Sequence, residues 1–373
     1  MEQAVLLPDG GYAPLDAWLS ERGVSGLFVV CDPSLEFLSR FKAKLAEIGE
    51  RMPVVRFSDF RPNPLYESVA EGVARFRASG CNAILAVGGG SAMDVAKCIK
   101  LYANMDPARN YLRQEIVPNA IPFLAMPTTA GTGSEATRYA VIYFEGKKQS
   151  VTHASCIPSA VLFDPSALDT LPPYQRKATA MDALCHAIES YWSVNSTDES
   201  RGYSADAIRR TLANLPGYLA NTPDGNAGML RAAHVAGKAI NVTQTTAGHA
   251  MCYKLTSLFG IAHGHAAVLC DRVLFPWMLD HADRCCDPRG EAALQDAFRG
   301  IAAAMDCATP EDAAAKLDAI FLSLELPVPA ATEEQFAELR TSVNPDRLKN
   351  HPIALDVASI DALYRTILRQ PGG

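Results

Sequence analysis

The sequence lacks features typical of secreted, membrane-spanning and nucleic-acid-binding proteins. Its 10 cysteines stand at irregular positions with no Cys-x-x-Cys pair, which favours buried thiols in a reducing compartment over a disulfide framework. No apolar run approaches the roughly 20 residues that cross a bilayer. No block of Lys or Arg occurs and the net charge is −7, which argues against nucleic acid or an anionic membrane as the main partner. We therefore expect a cytoplasmic protein that binds a small molecule.

Runs of β-forming residues are missing from the second half of the 373-residue chain, and this absence divides the sequence in two. Earlier, short apolar runs alternate with helical patterns, which indicates an α/β domain with a mostly parallel sheet. The runs lie at 26–31, 52–57, 83–87, 121–126 and 160–163. Later, Ala- and Leu-rich segments with helical periodicity predict an all-helical domain. We place the boundary at Pro172, giving domains 1–171 and 172–373.

Four metal-ligand side chains occur in two short stretches of the predicted helical domain. Asp182 and His186 are spaced i, i+4 and so share one face of a helix, whereas His249 and His263 must be brought together by a bend. One carboxylate and three imidazoles suit Zn²⁺ or Fe²⁺, and such a site can expand to accept a substrate oxygen. The sequence therefore predicts a divalent-metal site.

A glycine-rich turn follows the third predicted strand and opens a helix. It contains Gly88, Gly89, Gly90, Ser91 and Asp94. Glycines at such a turn let backbone N–H groups approach a phosphate at the helix N-terminus, so a pyrophosphate would fit. The spacing matches neither the G-x-G-x-x-G fingerprint nor a P-loop. Taken alone, this segment is equally well interpreted as an ordinary tight turn that binds no ligand.

A second loop after a strand is rich in hydroxyls and glycines. It contains Thr128, Thr129 and Thr132, which could contact a ribose or nicotinamide, or form a plain surface loop. Ligands of open α/β sheets bind beyond the carboxyl ends of strands, where both loops are expected. Asp32, after the first predicted strand, is placed to bind the adenosine ribose and repel a 2′-phosphate. Helix capping is its alternative role.

These motifs, in this order, resemble the iron-containing (group III) alcohol dehydrogenases. The resemblance extends from Cys31 to at least His265. It implies a dehydroquinate synthase-like architecture, with a dinucleotide-binding α/β domain, a helical domain and a metal at the cleft between them. It further implies Fe²⁺ as the metal, with Zn²⁺ as the alternative, and NADH as the cofactor, with NADPH as the alternative. By position, the four ligands, the glycine turn and the threonine loop fall on the family's own motifs. Members are usually homodimers or larger.

One position departs from the family pattern. Family members commonly carry a proton-relay His four residues after the third ligand, where this chain has Tyr253. Tyr253 itself, His265 or the cofactor ribose could then deliver the proton, although a buried structural aromatic is an alternative role for Tyr253. The surrounding sequence is similar to phosphonoacetaldehyde reductases of phosphonate biosynthesis. Lys254 could bind the anionic group of such a substrate, with Arg138 and Lys148 as alternatives.

The sequence thus predicts a metal-dependent, NAD(P)H-linked reductase of a small aldehyde, with phosphonoacetaldehyde as the preferred substrate and 2-hydroxyethylphosphonate as its product. A general short-chain alcohol or diol dehydrogenase of the same family is the first alternative. An NAD-dependent lyase of the dehydroquinate synthase type is the second, although it would need many basic and polar groups around a polyhydroxylated phosphate. A non-catalytic scaffold is the third alternative.

Overall fold

A computed structural model describes residues 3–8 and 10–369. The chain divides into two compact units, Met1–Leu171 and Pro172–Gly373. The first unit is an α/β domain and the second is built from helices, which confirms the predicted fold class. Within the described residues, no helix combines the length and the apolar character needed to cross a membrane.

A parallel sheet of six strands forms the centre of the first unit, in the order β1-β8-β5-β4-β2-β3. Its strands are β1 (Ala4–Leu6), β2 (Leu27–Cys31), β3 (Val54–Phe57), β4 (Ala83–Gly88), β5 (Phe123–Pro127) and β8 (Ala160–Leu162). The helices that separate them are α1 (Ala13–Glu21), α2 (Ser39–Gly49), α3 (Tyr66–Ala78) and α4 (Gly90–Tyr102). Strands β2, β4 and β5 are buried along their whole length, because apolar clusters cover both faces of the sheet. This burial explains why those strands read as continuous apolar runs.

The strand order reverses between β2 and β4. From β2 the chain first adds β3 on one side and then places β4 on the other. Such a reversal leaves a crevice at the carboxyl ends of the two strands, which is where open α/β sheets bind ligands. Asp32 directly follows β2 and the glycine turn directly follows β4, so both lie at this crevice.

A hairpin within the first unit was not predicted from the sequence. Strands β6 (Tyr139–Phe144) and β7 (Lys147–Thr152) pair antiparallel as a separate two-stranded sheet. Glu145 and Gly146 form the turn, and both have positive φ angles, 50° and 72°. Two-residue hairpin turns favour this backbone conformation because its twist matches that of the paired strands.

The second unit contains ten α-helices among its described residues. They are α5 (Pro173–Trp192), α6 (Asp198–Leu219), α7 (Pro223–Thr243), α8 (Ala247–Phe259), α9 (His263–Asp280), α10 (Glu291–Ala304), α11 (Pro310–Ser323), α12 (Glu333–Ser342), α13 (Pro345–Leu348) and α14 (Val357–Ile367). Helix α5 packs against α6, α7, α9 and α10 and is buried on nearly every face. Polar side chains of α5 are therefore held in an environment without bulk water.

Candidate functional site

Three of the four predicted metal ligands come together in the second unit. Ligand atoms of Asp182, His249 and His263 lie within 4.8 Å of one another. They come from α5, the first turn of α8 and the first residue of α9. His249 Nε2 lies 3.6 Å from Asp182 Oδ1. Two ligands bound to one ion at about 2.1 Å in tetrahedral geometry stand roughly 3.4 Å apart, so this separation fits a shared divalent ion.

Close packing of α9 on α5 brings His263 to Asp182. A Cβ atom on Gly264 would lie 2.1 Å from the Ala178 carbonyl oxygen and 2.5 Å from Asp182 Cβ. Only glycine allows the first turn of α9 to approach α5 this closely. The Gly264 that follows His263 is therefore part of how the chain assembles the cluster.

His186, the fourth predicted ligand, lies beside this cluster. It is buried, and its ring stacks on that of His249 with centroids 4.4 Å apart. The group of ligand atoms within 4.8 Å does not include His186 among the described residues. Because Asp182 and His186 share one face of α5, as the i, i+4 spacing predicts, His186 still contributes to the electrostatics of the site.

Glu189 orients His249. Its Oε1 accepts hydrogen bonds from His249 Nδ1 and, at 3.0 Å, from the His249 backbone N–H. Its Oε2 accepts from the Thr246 backbone N–H at 2.5 Å and from Thr246 Oγ1 at 2.6 Å. Because an ionised carboxylate can only accept, Nδ1 carries a ring proton, and Nε2, on the Asp182 side, is the nitrogen that can bind a metal once it is deprotonated.

The donor atoms of the cluster fit a bound cation. In the part of the chain that the structure describes, Asp182 Oδ1 and His249 Nε2 are buried without a hydrogen-bond partner. Burial alone would raise the pKa of Asp182, but His186, His249 and His263 lower it well below its usual range. Burial alone would lower the pKa of His249, whereas Glu189 and Asp182 raise it to about 10. Both shifts arise from a pocket in which a carboxylate attracts positive charge.

A second group of ligand atoms shares His249 and includes Glu189 and Asp271. It suits a metal less well, because both Glu189 oxygens already accept hydrogen bonds. Burial, and next the charge of Glu189, raise the pKa of Asp271 well above its usual range. A carboxyl group that resists ionisation is a poor metal ligand. These contacts favour the Asp182 side of His249 for the metal, and the ligand set stays a prediction.

The glycine turn of the first unit exposes the start of α4. Gly88 has φ +151°, and a Cβ atom there would lie 2.4 Å from Asp32 Oδ2. Among the described residues, no side chain caps the N-terminus of α4. Its first N–H groups, at Gly90 and Ser91, are therefore not used by a side-chain cap, and pyrophosphate binding at this turn stays a prediction.

Asp32 is both a cap and part of the crevice wall. Its Oδ1 accepts from Ser34 N at 2.9 Å, which caps a short 3-10 helix at Pro33–Phe37. Its Oδ2 accepts from Gly89 N at 3.1 Å. The capping role that the sequence offered as an alternative is present. The carboxylate also lies against the glycine turn, and its contact with a cofactor stays a prediction.

The threonine loop lies next to the glycine turn, because β4 and β5 are paired neighbours that end together at Gly88 and Pro127. A Cβ atom on Gly90 would lie 3.2 Å from Thr132 Cγ2, and one on Gly89 would lie 3.5 Å from Thr129. Thr128 Oγ1 accepts from Ser34 Oγ at 3.2 Å. The three predicted threonines therefore follow one edge of the crevice.

A buried Lys97 fixes the shape of this loop. Lys97 Nζ donates to Ser134 Oγ at 2.9 Å and to the carbonyl oxygens of Ser134 and Tyr139 at 2.6 and 2.7 Å. Asp94, predicted to bind the cofactor, accepts from Ser134 Oγ at 3.1 Å and from Val141 N at 3.0 Å. In the structure Asp94 thus supports the loop from behind, and cofactor contact by Asp94 stays a prediction.

Comparisons with known proteins identify the family. The model of the iron-containing alcohol dehydrogenases matches residues 3–165, and that of the Fe-containing alcohol dehydrogenase C-terminal domain matches residues 177–368. The chain belongs to the iron-containing alcohol dehydrogenase family. It is accordingly an oxidoreductase of the alcohol dehydrogenase and aldehyde reductase class, and the family implies a metal and an NAD cofactor.

Relatives within the iron-containing alcohol dehydrogenases differ in substrate. The phosphonoacetaldehyde reductase of Streptomyces viridochromogenes is 32% identical over 312 residues, which cover 80% of this chain and 79% of that protein. Long-chain-alcohol dehydrogenase 1 of Geobacillus thermodenitrificans is 32% identical over 304 residues, covering 78% and 74%. The structure of sulfoacetaldehyde reductase from Bifidobacterium kashiwanohense in complex with NAD+ superposes with a TM-score of 0.85 at 26% identity, covering 98% of this chain and 96% of that one.

Two of the three predicted catalytic side chains are engaged elsewhere in this family member. His265 Nε2 donates to the Pro327 carbonyl oxygen at 2.9 Å, so Nδ1 accepts from the Tyr174 hydroxyl at 3.0 Å. Because both ring nitrogens are occupied, these contacts favour a role for His265 in positioning α9, and proton delivery by His265 stays a prediction. Lys254 forms an ion pair with Glu338 of α12, so its charge is already compensated.

Tyr253, the third predicted catalytic residue, lies beside the cluster. Its ring stacks on His263 with centroids 5.4 Å apart and an interplanar angle of 25°. Burial raises the pKa of the Tyr253 phenol above its usual value, so the group is a poor proton source at neutral pH. The position supports the structural role that the sequence offered as an alternative, in which the ring forms a wall next to His263.

Sequence reasoning missed Glu189 and Lys97. Glu189 stands seven residues after Asp182, which returns it to the ligand-bearing face of α5, and an acid on that face of an Ala-rich helix could have indicated its role. Lys97 lies in α4, the helix that follows the glycine turn, three residues after Asp94 and so near it on the helix surface. Its burial arises from contacts with the 134–139 segment, and no local pattern encodes those contacts.

Proposed function

We propose that this enzyme reduces a short aldehyde bearing an anionic group, phosphonoacetaldehyde, to 2-hydroxyethylphosphonate with NADH. The observation that carries the reductase assignment is the cluster of Asp182, His249 and His263 with its buried ligand atoms. The substrate is supported by two relatives whose names specify two-carbon aldehydes with an anion, a phosphonate in one and a sulfonate in the other.

In this proposal the protein positions and desolvates the reacting groups. Asp182, His249, His263 and the adjacent His186 would hold the divalent ion, with Glu189 fixing the tautomer of His249. A bound Fe²⁺, with Zn²⁺ as the alternative, supplies Lewis-acid polarisation of the carbonyl, and the nicotinamide supplies the hydride. Burial of Asp182 excludes water from this face of the site and strengthens its electrostatics.

NADH is the proposed cofactor because Asp32 contributes a negative charge at the carboxyl end of β2. Its carboxylate is held in place by Ser34 N and Gly89 N. A carboxylate at this position favours a ribose 2′-hydroxyl and repels a 2′-phosphate. A homodimer or larger assembly and a cytoplasmic location stay predictions.

A substrate panel tests the proposal. Purified protein loaded separately with Fe²⁺ or Zn²⁺ is assayed with NADH and NADPH against phosphonoacetaldehyde, propanal, butanal, 3-hydroxypropanal and a long-chain aldehyde. We expect loss of nicotinamide absorbance with a kcat/KM highest for phosphonoacetaldehyde and NADH. Failure to reduce any aldehyde with either metal would overturn the proposed reaction. Preference for a neutral aldehyde would overturn the proposed substrate alone.

A further inference from the structure

An arginine lies over the aromatic wall of the candidate site. Arg347, in the short helix α13, places its guanidinium carbon 5.9 Å from the ring centroid of Tyr253. The same ring stacks on His263, a proposed metal ligand. Helix α13 packs against α8, which carries Tyr253. The Tyr253 ring thereby connects the Arg347 guanidinium to a proposed metal ligand, His263.

The charge of Arg347 is uncompensated, unlike that of its neighbours. Lys254 pairs with Glu338, and Lys349 pairs with Asp346 at 2.6 Å. For Arg347, no carboxylate of a described residue lies within the 4.0 Å of an ion pair. An arginine that is half-buried, ordered by an aromatic ring and without a carboxylate partner is suited to receive an anion from outside the chain.

We propose that Arg347 recognises the anionic group of the substrate and so selects charged aldehydes over neutral ones. This assignment rests on the proposed reductase function and replaces Lys254 with Arg347 as the anion-binding cation. A guanidinium presents paired N–H donors that match two oxygens of a phosphonate, sulfonate or carboxylate. Its contact with the Tyr253 ring restricts the position of the guanidinium without using its N–H donors in an ion pair with a carboxylate of a described residue. Tyr253, which contacts both Arg347 and His263, then serves substrate selection by holding Arg347 near the cluster.

The test compares charged and neutral aldehydes in Arg347→Met. Loss of a charge-assisted hydrogen bond of this kind lowers kcat/KM by roughly 10- to 100-fold. We expect that loss for phosphonoacetaldehyde, chiefly through a higher KM, and less than about a twofold change for propanal. Arg347→Lys keeps the charge but not the paired donors, so it should recover part of the lost activity. Methylphosphonate, an unreactive anion, should inhibit the unmodified enzyme competitively and lose potency in Arg347→Met.

Lys349→Met is the matched control, because it removes an exposed cation two residues away on the same segment. It should leave both aldehydes and the methylphosphonate inhibition unchanged. Thermal unfolding of each variant checks that the fold is intact, and propanal turnover checks that the metal site still works.

The outcomes separate this inference from the function on which it rests. If the unmodified enzyme reduces propanal but Arg347→Met loses charged and neutral substrates equally, or loses neither, the role of Arg347 is wrong while the reductase function stands. The same holds if Lys349→Met reproduces the selective loss. If the unmodified enzyme reduces no aldehyde, the proposed function itself is wrong. A selective loss for phosphonoacetaldehyde with partial recovery in Arg347→Lys supports the assignment.

Discussion

Replacing Glu189 with glutamine tests how this protein prepares a histidine for metal binding. Glu189 is completely buried and accepts hydrogen bonds from two donors on Thr246 and two on His249. A glutamine amide has almost the same shape but one oxygen and one NH₂ group. Whichever way the amide is turned, the NH₂ group faces donors of either Thr246 or His249. Facing His249, it favours the tautomer in which Nε2 carries the proton and cannot bind a metal.

These contacts determine how much metal affinity and stability Glu189→Gln should lose. Mutation of a carboxylate that orients a ligating histidine typically costs 10- to 100-fold in metal affinity, which corresponds to about 1.4 to 2.7 kcal/mol. The metal-free protein should also lose stability, because a hydrogen bond to a charged group contributes roughly 1.5 to 3 kcal/mol and at least one such pair becomes donor against donor. We therefore expect Glu189→Gln to weaken metal binding about 10- to 100-fold and to lower the free energy of unfolding by roughly 2 kcal/mol.

The assay is a titration of metal-free protein with Zn²⁺ in competition with a chelating dye, together with urea unfolding of the same samples. Glu333→Gln is the control, because it makes the same chemical change at an exposed carboxylate that pairs with Arg365. It should leave metal affinity unchanged. The reasoning would be refuted if Glu189→Gln bound Zn²⁺ as tightly as the unmodified protein, since the orientation of His249 would then not depend on Glu189.

Three further predictions concern other parts of the second unit. Tyr253→Phe should keep kcat for propanal within a few-fold, because the raised pKa of the phenol makes it a poor proton source; a loss of 100-fold or more would show that Tyr253 delivers the proton. His351 is buried, and burial lowers its pKa to about 4. Below about pH 6.5 the unfolded chain therefore binds more protons at this residue than the native state does. The free energy of unfolding should for this reason fall by roughly 2 kcal/mol between pH 7.5 and pH 5. Urea unfolding should show that His351→Leu lacks this contribution, and equal pH dependence in both proteins would contradict the assignment. Gly264→Ala should lower stability by about 1 to 3 kcal/mol and weaken Zn²⁺ binding, since its Cβ would displace α9 from Asp182; a variant with unchanged Zn²⁺ affinity would contradict the close-packing argument.

The elements that local patterns encode strongly were predictable. The buried strands β2, β4 and β5 read as continuous apolar runs because both sides of the sheet are covered. The short edge strand β1 was not predicted, since three residues carry too little periodicity. The hairpin β6–β7 was also missed, because half-buried strands that contain Lys147 and Lys148 resemble a polar loop.

The candidate site also contains features that local sequence patterns predict and features that they do not. The i, i+4 spacing of Asp182 and His186 placed both on one face of α5, and the strand-to-loop transitions placed the glycine and threonine loops at one edge of the sheet. By contrast, Lys254 and His265 were chosen for proximity in sequence to metal ligands. Their actual partners, Glu338 and the Pro327 carbonyl oxygen, are more than 60 residues away in the chain.

The sequence by itself determined the family, the fold class and which residue types face one another within a helix, because periodicity and motif spacing are local properties. Only the tertiary structure decided which of those residues are available for chemistry. It engages the two ring nitrogens of His265, pairs Lys254, buries Glu189 against His249 and brings Arg347 over Tyr253. Each of these outcomes depends on contacts between segments far apart in the chain, which form when helices pack and which no local pattern specifies.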